Sequence, residues 1–374
     1  MISGHFQGFI LRMTKRIFNF SAGPCTLPLP ALEQAAEQLV NFEDSGMSII
    51  EMSHRGPHYD AVHNRALELV RSLLNVPGTY EVLIVQGGAS MQFAMLPLNL
   101  LHAGSTAQYV NTGYWAAKAI ADAEAVGDTE VIWSGEPEGF RRMPRPDEIR
   151  PKDDAAYVHV TTNETIGGIE WHDVPDTGSV PLVADASSHI MSRPVDFSKL
   201  DLVYAGAQKN LGPAGAALVI ISKSLLDKCA GGVPRYLSYR THASKNSLAN
   251  TPPVFAIYMM KLVLEWVESQ GGVSEMEKRA IDRSSMVYEA IDESDGWYSC
   301  PVEKASRSRM NVCFRLPDEE LEKKFIEEAL ESEMSGLKGH RSVGGLRASM
   351  YNAMPVAGAG RLADFMHEFR KRNS

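Results

Sequence analysis

The chain has 374 residues, of which 44% are hydrophobic and 22% are charged, a composition typical of a folded protein with a sizeable core. Its formal net charge of −9 gives a surface that repels polyphosphates, which argues against nucleic acid and anionic membranes as partners. Its four cysteines (Cys25, Cys229, Cys300 and Cys313) have no short paired spacing, which argues against a disulfide framework and a metal site and favours the cytoplasm.

Residues 1–15 precede the first clear element and are interpreted as an N-terminal extension without ordered structure. Their mixture of Arg, Lys and short apolar patches makes a poor signal peptide and at most a weak organelle-targeting segment.

Helices and strands alternate through the next two hundred residues. The stretches "PALEQAAEQLV" and "DAVHNRALELVRSLL" have apolar residues at helical spacing, and Pro30 suits a first helical turn. Short apolar runs follow and indicate strands: "EVLIVQ", "STAQYVN", "TEVIWS", "AAYVHVTT", "VPLVADAS", "LDLVYAGA" and "GAALVIIS". Strands interleaved with helices predict an α/β fold, with a mostly parallel seven-stranded sheet and helices on both faces.

The pattern changes after residue 270. A long helix is predicted over "PVFAIYMMKLVLEWVESQGG", ending at Gly271 and Gly272. Beyond it we predict a helix, strands at "WYSCPV" and "RMNVCFRL", a helix over "DEELEKKFIEEALES", another strand and a final helix. We therefore predict a large domain over 16–270 and a smaller C-terminal α+β domain over 271–374.

Chemically useful residues follow several of the predicted strands. In an open parallel sheet, ligands gather beyond the carboxyl ends of the strands. The first strand leads into Gly87-Gly88-Ala89-Ser90 and then a helix, where free backbone N–H groups favour a phosphate. The other strand ends offer an indole at Trp115, a hydroxyl in "NETIGG", a carboxylate at Asp185 and an amine at Lys209.

Pyridoxal 5′-phosphate requires this set of groups. A lysine binds its aldehyde, an acid holds its pyridine nitrogen protonated, an anion site takes its phosphate and an aromatic ring stacks on it. The small residues around Lys209 favour partial desolvation, which lowers the pKa of the amine and increases its nucleophilic fraction. Each feature alone has an ordinary explanation, because Lys209 could be a surface residue, Asp185 a helix cap and Trp115 part of the core. Their order and their positions at strand ends favour the cofactor.

A set of motifs, in order through residues 16–374, resembles the phosphoserine aminotransferase family, a group of fold-type I, class V pyridoxal-phosphate enzymes. The motifs are "IFNFSAGPCTLP", "SHRGPHYD", "QGGASMQFAMLPLNLL", "NTGYWAAKA", "TTNETIGGIE", "LVADASSHIMSRP", "YAGAQKNLGPAG", "NTPPVFAIY" and "HRSVGGLRASMYNAMP".

The resemblance implies a role for each cofactor-binding residue. It implies Lys209 as the Schiff-base lysine, Asp185 as the partner of the pyridine nitrogen and Trp115 as the stacking ring. It further implies Thr165 at the phenolic oxygen. Around the phosphate it implies Ala89, Ser90 and Gln208, with Asn250 and Thr251 reaching across from the other subunit of a homodimer with shared active sites. At the Ser90 position some family members carry Arg, so here other cations must bind more of the substrate phosphate.

Two cationic clusters are candidates for binding an anionic substrate, because the planar guanidinium of Arg can donate two hydrogen bonds at once to a carboxylate or phosphate. They contain His54 and Arg55 in "SHR", and His340, Arg341 and Arg347 in "GHRSVGGLRASMYN". The resemblance implies that Arg347 binds the α-carboxylate. It implies that His54, Arg55 and Arg341, some from the partner subunit, bind the substrate phosphate or the side-chain carboxylate of glutamate. The alternative is that these are solvated or ion-paired surface residues.

The implied reaction transfers an amino group from L-glutamate to 3-phosphohydroxypyruvate, giving O-phospho-L-serine and 2-oxoglutarate by a ping-pong mechanism in serine biosynthesis. The resemblance also implies a second activity between 4-phosphohydroxythreonine and 3-hydroxy-2-oxo-4-phosphobutanoate in cofactor synthesis. Alternatives are an alanine–glyoxylate type aminotransferase and a non-catalytic binding or assembly protein of the same fold. A nicotinamide-dependent dehydrogenase is rejected, because "GAGRLA" at 358–363 follows no clear strand and only 11 residues come after it.

Overall fold

The structure is a computed structural model and describes residues 16–374. The predicted extension over 1–15 lies outside the described residues. The first described elements are strand β1 (Phe18–Asn19) and helices α1 (Leu29–Gln38) and α2 (Pro57–Leu73), and both helices have a proline in their first turn. Short 3₁₀ turns lie at Phe42–Asp44, Ile49–Glu51, Glu136–Glu138, Pro146–Glu148, Arg235–Leu237 and Lys304–Ser306.

A seven-stranded sheet forms the centre of the described chain. The strands after β1 are β2 (Tyr80–Gln86), β3 (Ala107–Asn111), β4 (Thr129–Ser134), β5 (Tyr157–Thr161), β6 (Asn163–Glu164), β7 (Ile169–Glu170), β8 (Leu182–Asp185), β9 (Leu202–Gly206) and β10 (Ala216–Ser222). The order across the sheet is β2-β10-β9-β8-β5-β3-β4, and β6 pairs with β7 as a separate antiparallel ribbon. Strand β10 runs antiparallel to both of its neighbours, β2 and β9, and the other pairings of this sheet are parallel. The predicted α/β fold with a mostly parallel sheet is confirmed.

Helices cover both faces of this sheet, because its strands alternate side chains between two cores. In β2, Val82 and Ile84 join one buried cluster while Leu83 and Val85 join the other. The helices of this part are α3 (Ala89–Leu100), α4 (Tyr114–Glu124), α5 (Lys223–Leu226), α6 (Tyr239–Ser244) and α7 (Val254–Ser269). With its apolar faces covered, the sheet presents its polar residues at the strand ends.

The C-terminal elements enclose a separate aromatic-rich core. They are α8 (Gly272–Asp292), β11 (Asn311–Phe314), α9 (Glu319–Glu331), β12 (Met334–Ser335), β13 (Leu346–Ser349) and α10 (Val356–Asn373). Phe20 also packs into this core, since β1 pairs with β12. Helix α8 contributes Met276 to the sheet's core and Val287 to the C-terminal one. The domain boundary at residue 270 stays a prediction.

One predicted strand of this region is wrong. The segment 297–302 forms a single antiparallel bridge, between Ser299 and Arg315, and no named strand. Pro301 has no N–H to donate to a ladder, which limits further pairing.

Among residues 16–374, no helix combines the length and the apolar character needed to cross a membrane.

Candidate active site

A cavity of about 250 Å³ lies beyond the carboxyl ends of β5, β8 and β9. The N-termini of α3 and α4 also reach it. Its walls include nine of the candidate residues: Ala89, Ser90, Trp115, Thr165, Asp185, Gln208, Lys209, His340 and Arg347. These residues come from six separate parts of the chain. The central sheet brings all of them except His340 and Arg347 to one of its edges. His340 and Arg347 reach the cavity from the C-terminal part, where Arg347 lies on β13.

Lys209 lies in the turn after β9 and is only 8% exposed. Its Nζ donates a hydrogen bond to the Thr165 hydroxyl over 2.6 Å. Burial lowers the pKa of the Lys209 amine to about 8, against the opposing charges of Asp185 and Glu164. About a tenth of this amine is therefore neutral and nucleophilic at pH 7, against less than one part in a thousand for an unperturbed lysine. The thiol of Cys25 donates to the Lys209 carbonyl over 2.9 Å and helps to fix the turn.

Asp185 is the last residue of β8, and its side chain is held by one neighbour. Its Oδ1 accepts hydrogen bonds from the Ser187 backbone N–H over 2.9 Å and from the Ser187 hydroxyl over 2.5 Å. Burial raises the pKa of the Asp185 carboxyl, while these two bonds and the Lys209 charge act to lower it. These bonds hold one oxygen of a carboxylate that lines the cavity, where its negative charge can pair with a positively charged group.

Trp115 lies in the first turn of α4, opposite the lysine. Its ring centroid is 5.9 Å from Lys209 Nζ. Its indole Nε1 is buried and has no hydrogen-bond partner among the described residues. A flat ring that enters the cavity could stack on this indole and supply an acceptor nearby.

The N-terminus of α3 forms an anion cradle. Gly88 precedes the helix and provides no side-chain cap, so the first backbone N–H groups of α3, including those of Ala89 and Ser90, remain available to a ligand. A Cβ on Gly206 would lie 2.6 Å from Gln208 Oε1 and 3.3 Å from the Ala89 nitrogen. The space beside this helix end therefore exists because residue 206 has no side chain.

A second, larger cavity of about 640 Å³ adjoins the first and shares Ile166, His340 and Arg347 with it. Arg347 lies on β13 and donates from Nη1 to the Thr165 carbonyl over 3.3 Å, while its Nε is buried and has no partner among the described residues. The His340 ring lies 5.3 Å from the Tyr114 ring. Burial and the charges of Arg347 and Arg341 lower the pKa of His340. This wall can bind a carboxylate.

Five predicted residues do not line the cavity of their own chain: His54, Arg55, Asn250, Thr251 and Arg341. Arg55, Thr251 and Arg341 are exposed, whereas His54 has a buried Nε2 without a partner among the described residues. The Thr251 carbonyl accepts hydrogen bonds from Gln86 and Asn250, which attaches this loop beside the end of β2.

Among the residues that the sequence analysis missed, two hold predicted site residues in place. Ser187 follows Asp185 by two positions, which is the spacing of an Asx turn and could have indicated the contact. Glu164 immediately precedes Thr165 and is completely buried, with both carboxylate oxygens bonded to the start of α4. Nothing in the local pattern indicates that partner, because the two segments are 48 residues apart.

The donor set fits pyridoxal phosphate. The cavity combines an amine of lowered pKa, an oriented carboxylate, an unpartnered indole N–H and a helix N-terminus with free N–H groups. The amine can bind the aldehyde of this cofactor, the carboxylate its protonated ring nitrogen, the indole its ring face and the helix N-terminus its phosphate.

Comparisons with known proteins agree with this geometry. The family model described as aminotransferase class-V matches residues 17–362. A phosphoserine aminotransferase of Geobacillus kaustophilus (strain HTA426) is 53% identical over 358 residues, which cover 96% of this chain and 99% of the relative. The solved phosphoserine aminotransferase of Bacillus circulans subsp. alkalophilus has a TM-score of 0.94 at 49% identity, covering 96% of this chain and 99% of that one. The PLP-bound phosphoserine aminotransferase of Trichomonas vaginalis has a TM-score of 0.89 at 37% identity, covering 94% of this chain and all 100% of that one.

Proposed function

Since this chain belongs to the class-V aminotransferase family, we propose that it transfers the amino group of L-glutamate to 3-phosphohydroxypyruvate, giving O-phospho-L-serine and 2-oxoglutarate in serine biosynthesis. It is a pyridoxal-phosphate-dependent aminotransferase of fold type I. The observation that carries the proposal is the buried Lys209 amine, which is bonded to Thr165 and shares one cavity with Asp185 and Trp115.

The cofactor's binding residues are proposed from this cavity. Lys209 would bind the aldehyde, Asp185 the protonated ring nitrogen and Thr165 the phenolic oxygen, with Trp115 against the ring face. The phosphate would lie at the start of α3, near Ala89, Ser90 and Gln208, with Asn250 and Thr251 of the partner subunit. When bound, the cofactor supplies an electron sink for the pair left behind when the substrate Cα loses its proton.

The chain's own residues then move that proton and hold the substrate. Once the substrate amine has released Lys209, the free Nζ, whose pKa burial lowers to about 8, would accept a proton from the substrate Cα and return one later in the reaction. Asp185 keeps a negative charge beside the ring nitrogen. The transfer takes place in two half-reactions, and 2-oxoglutarate leaves before 3-phosphohydroxypyruvate binds.

Substrate recognition is proposed to rest on Arg347 and on cations around it. The partly unpartnered Arg347 guanidinium suits the α-carboxylate, because its planar fork can make two bonds at once. The substrate phosphate would bind Arg341 together with His54 and Arg55 of the partner subunit.

We propose that the enzyme is a homodimer with shared active sites. The support is that His54, Arg55, Asn250 and Thr251 lie outside the cavity of their own chain, while Arg347 is the one arginine among the residues that line this cavity. We also propose that it acts in the cytoplasm, where its four free thiols would stay reduced.

The test is a coupled assay with the purified holoenzyme. We expect glutamate and 3-phosphohydroxypyruvate to react, and hydroxypyruvate, which lacks the phosphate, to react much more slowly. The variant Lys209→Ala should have no turnover. Equal rates with and without the phosphate would contradict the proposal and favour an alanine–glyoxylate type activity, which a parallel assay with alanine and glyoxylate would detect.

The adjoining cavity favours a second substrate of the same chemistry. Its volume of about 640 Å³ leaves space beyond Arg347 for a phosphorylated keto acid one carbon longer. We propose that 3-hydroxy-2-oxo-4-phosphobutanoate is also accepted and converted to 4-phosphohydroxythreonine. Failure of this compound to react or to compete with 3-phosphohydroxypyruvate would refute the second activity alone.

A further inference from the structure

Glu164 is a buried carboxylate with no role in the reaction as proposed. It is the last residue of β6, is 0% exposed and belongs to the part of the chain that immediately precedes Thr165. Its Oε2 accepts a hydrogen bond from the Trp115 backbone N–H over 3.1 Å, and its Oε1 accepts one from the Ala116 N–H over 2.9 Å. These are among the first N–H groups of α4, which have no partner inside the helix.

This contact replaces an ordinary helix cap. The residue before α4 is Gly113, which makes no side-chain cap. A Cβ on Gly113 would lie 3.0 Å from Glu164 Cδ and 3.2 Å from Oε2, and the backbone there has φ +155°. The absent side chain leaves room for a carboxylate from a distant segment to reach the helix end.

Glu164 and Thr165 therefore connect the two sides of the cavity through one peptide unit. The side chain of Glu164 binds the turn of helix that carries Trp115, and the side chain of Thr165 accepts a hydrogen bond from Lys209 Nζ over 2.6 Å. The Trp115 ring and Lys209 Nζ, 5.9 Å apart, are each one contact away from this dipeptide. We propose that Glu164 is a positioning residue that fixes the indole of Trp115 relative to the amine of Lys209. This inference rests on the proposed function, in which the cofactor ring lies between those two groups.

The charge of Glu164 should matter as well as its shape. Burial raises the pKa of the Glu164 carboxyl to about 7, the two backbone hydrogen bonds and Lys209 act to lower it, and Asp185 acts to raise it. The charged groups that face it are thus Lys209 from the turn after β9 and Asp185 from the end of β8, while α4 presents its N-terminal N–H groups. An ionised carboxylate binds a helix N-terminus more strongly than a neutral one, so the contact should strengthen as the pH rises through 7.

The first experiment measures the contact in the cofactor-free protein by amide hydrogen exchange. The variant Glu164→Gln keeps the volume but has one acceptor oxygen in place of two. We expect exchange at the start of α4 to be about tenfold faster in the variant, as for the loss of a helix cap. The control is Glu170→Gln, a buried carboxylate whose partners are the Arg309 backbone N–H over 2.7 Å and the Arg193 guanidinium over 3.7 Å, instead of the start of α4.

The second experiment uses the holoenzyme. We expect Glu164→Gln to weaken pyridoxal phosphate binding about tenfold and to shift the pH dependence of the bound cofactor's absorbance, whereas Glu170→Gln should change neither. The variant Gly113→Ala places a Cβ 3.0 Å from Glu164 Cδ and should therefore displace the same carboxylate and reproduce both effects. It keeps the inference testable if Glu164→Gln fails to fold.

The outcomes separate this inference from the proposed function. If the wild-type protein binds the cofactor normally and both Glu164→Gln and Gly113→Ala leave its affinity and its spectral pH dependence unchanged, Glu164 is not a positioning residue and the proposed function stands. If the wild-type protein takes up no cofactor, the proposed function fails first. If the Glu170→Gln control shows the same losses, the effect is general destabilisation and the inference is overturned.

Discussion

At the residue scale, Ser187 favours the ionised form of Asp185. Its backbone N–H and its hydroxyl both donate hydrogen bonds to Oδ1 of the carboxylate. Removing the hydroxyl with Ser187→Ala should raise the pKa of Asp185 further, because one of the hydrogen bonds that counteract the effect of burial is lost. We expect kcat to fall about tenfold, the effect of losing a hydrogen bond to a charged group. The acidic limb of the pH profile should move to higher pH.

Ser188 is the matched control for this prediction. It is as buried as Ser187 and lines the same cavity, but its hydroxyl bonds to Asn163 over 2.7 Å. Identical pH profiles for Ser187→Ala and Ser188→Ala would contradict the role given to Ser187.

The buried Lys209 amine lowers the stability of the cofactor-free protein by an amount that depends on pH. Burial lowers its pKa from 10.5 to about 8, so between these values the unfolded chain binds more protons than the folded one. Stability should therefore rise as the pH increases from 8 to 10.5, and the cost of the charged amine below pH 8 is at most about 3 kcal/mol. The variant Lys209→Met removes the titrating group and should be more stable than the wild type at pH 7.5.

The measurement is urea unfolding of both cofactor-free proteins at several pH values. The advantage of Lys209→Met should shrink as the pH approaches 10.5. An advantage that is constant across this range would show that packing, and not the charge of the amine, determines the difference.

The residues at strand ends were predictable, but their supporting contacts were not. Lys209, Asp185 and Trp115 each follow a strand of clear apolar pattern, so the rule for parallel sheets places them at one edge. Ser187 offered a local signal that the sequence analysis did not use. Glu164 offered none, because its partners lie on another helix and only the folded chain brings them together.

At the scale of elements, the site depends on how closely the turn after β9 approaches the start of α3. Gly206, the last residue of β9, allows this approach because it has no side chain. In Gly206→Ala, the new Cβ would displace Gln208 Oε1 and crowd the Ala89 N–H, so we expect pyridoxal phosphate to bind about tenfold more weakly with little change in Tm. Gly78→Ala, where a Cβ meets nothing within 4 Å, is the control. Unchanged cofactor affinity in Gly206→Ala would show that the phosphate lies elsewhere.

The positions of elements were easier to predict than the directions of their pairings. Apolar runs marked all seven strands of the central sheet, because a buried strand needs a continuous apolar segment. The antiparallel direction of β10 was not predicted, since an apolar run such as "GAALVIIS" is the same in either direction. The segment 297–302 has strand-like residues but makes one bridge, because pairing also requires a neighbour with matching donors.

At the scale of the whole molecule, the sequence contains all the proposed site residues without showing which subunit uses them. His54, Arg55, Asn250 and Thr251 lie away from the cavity of their own chain, and this can be read only from the folded structure. The proposed dimer assigns Lys209 and Arg55 of each active site to different subunits. Two defective variants should therefore complement each other.

Mixing Lys209→Ala subunits with Arg55→Ala subunits under conditions of subunit exchange tests this arrangement. Each mixed dimer would contain one site with an intact Lys209 and a partner's intact Arg55, and one site that lacks both. Random pairing makes half of the dimers mixed, so we expect about a quarter of the wild-type activity, well above the mean of the two separate variants. As a control, mixing Lys209→Ala with Asp185→Ala should give no recovery, because both residues come from the same chain. If the first mixture does not exceed that mean although exchange is complete, Arg55 acts within its own subunit.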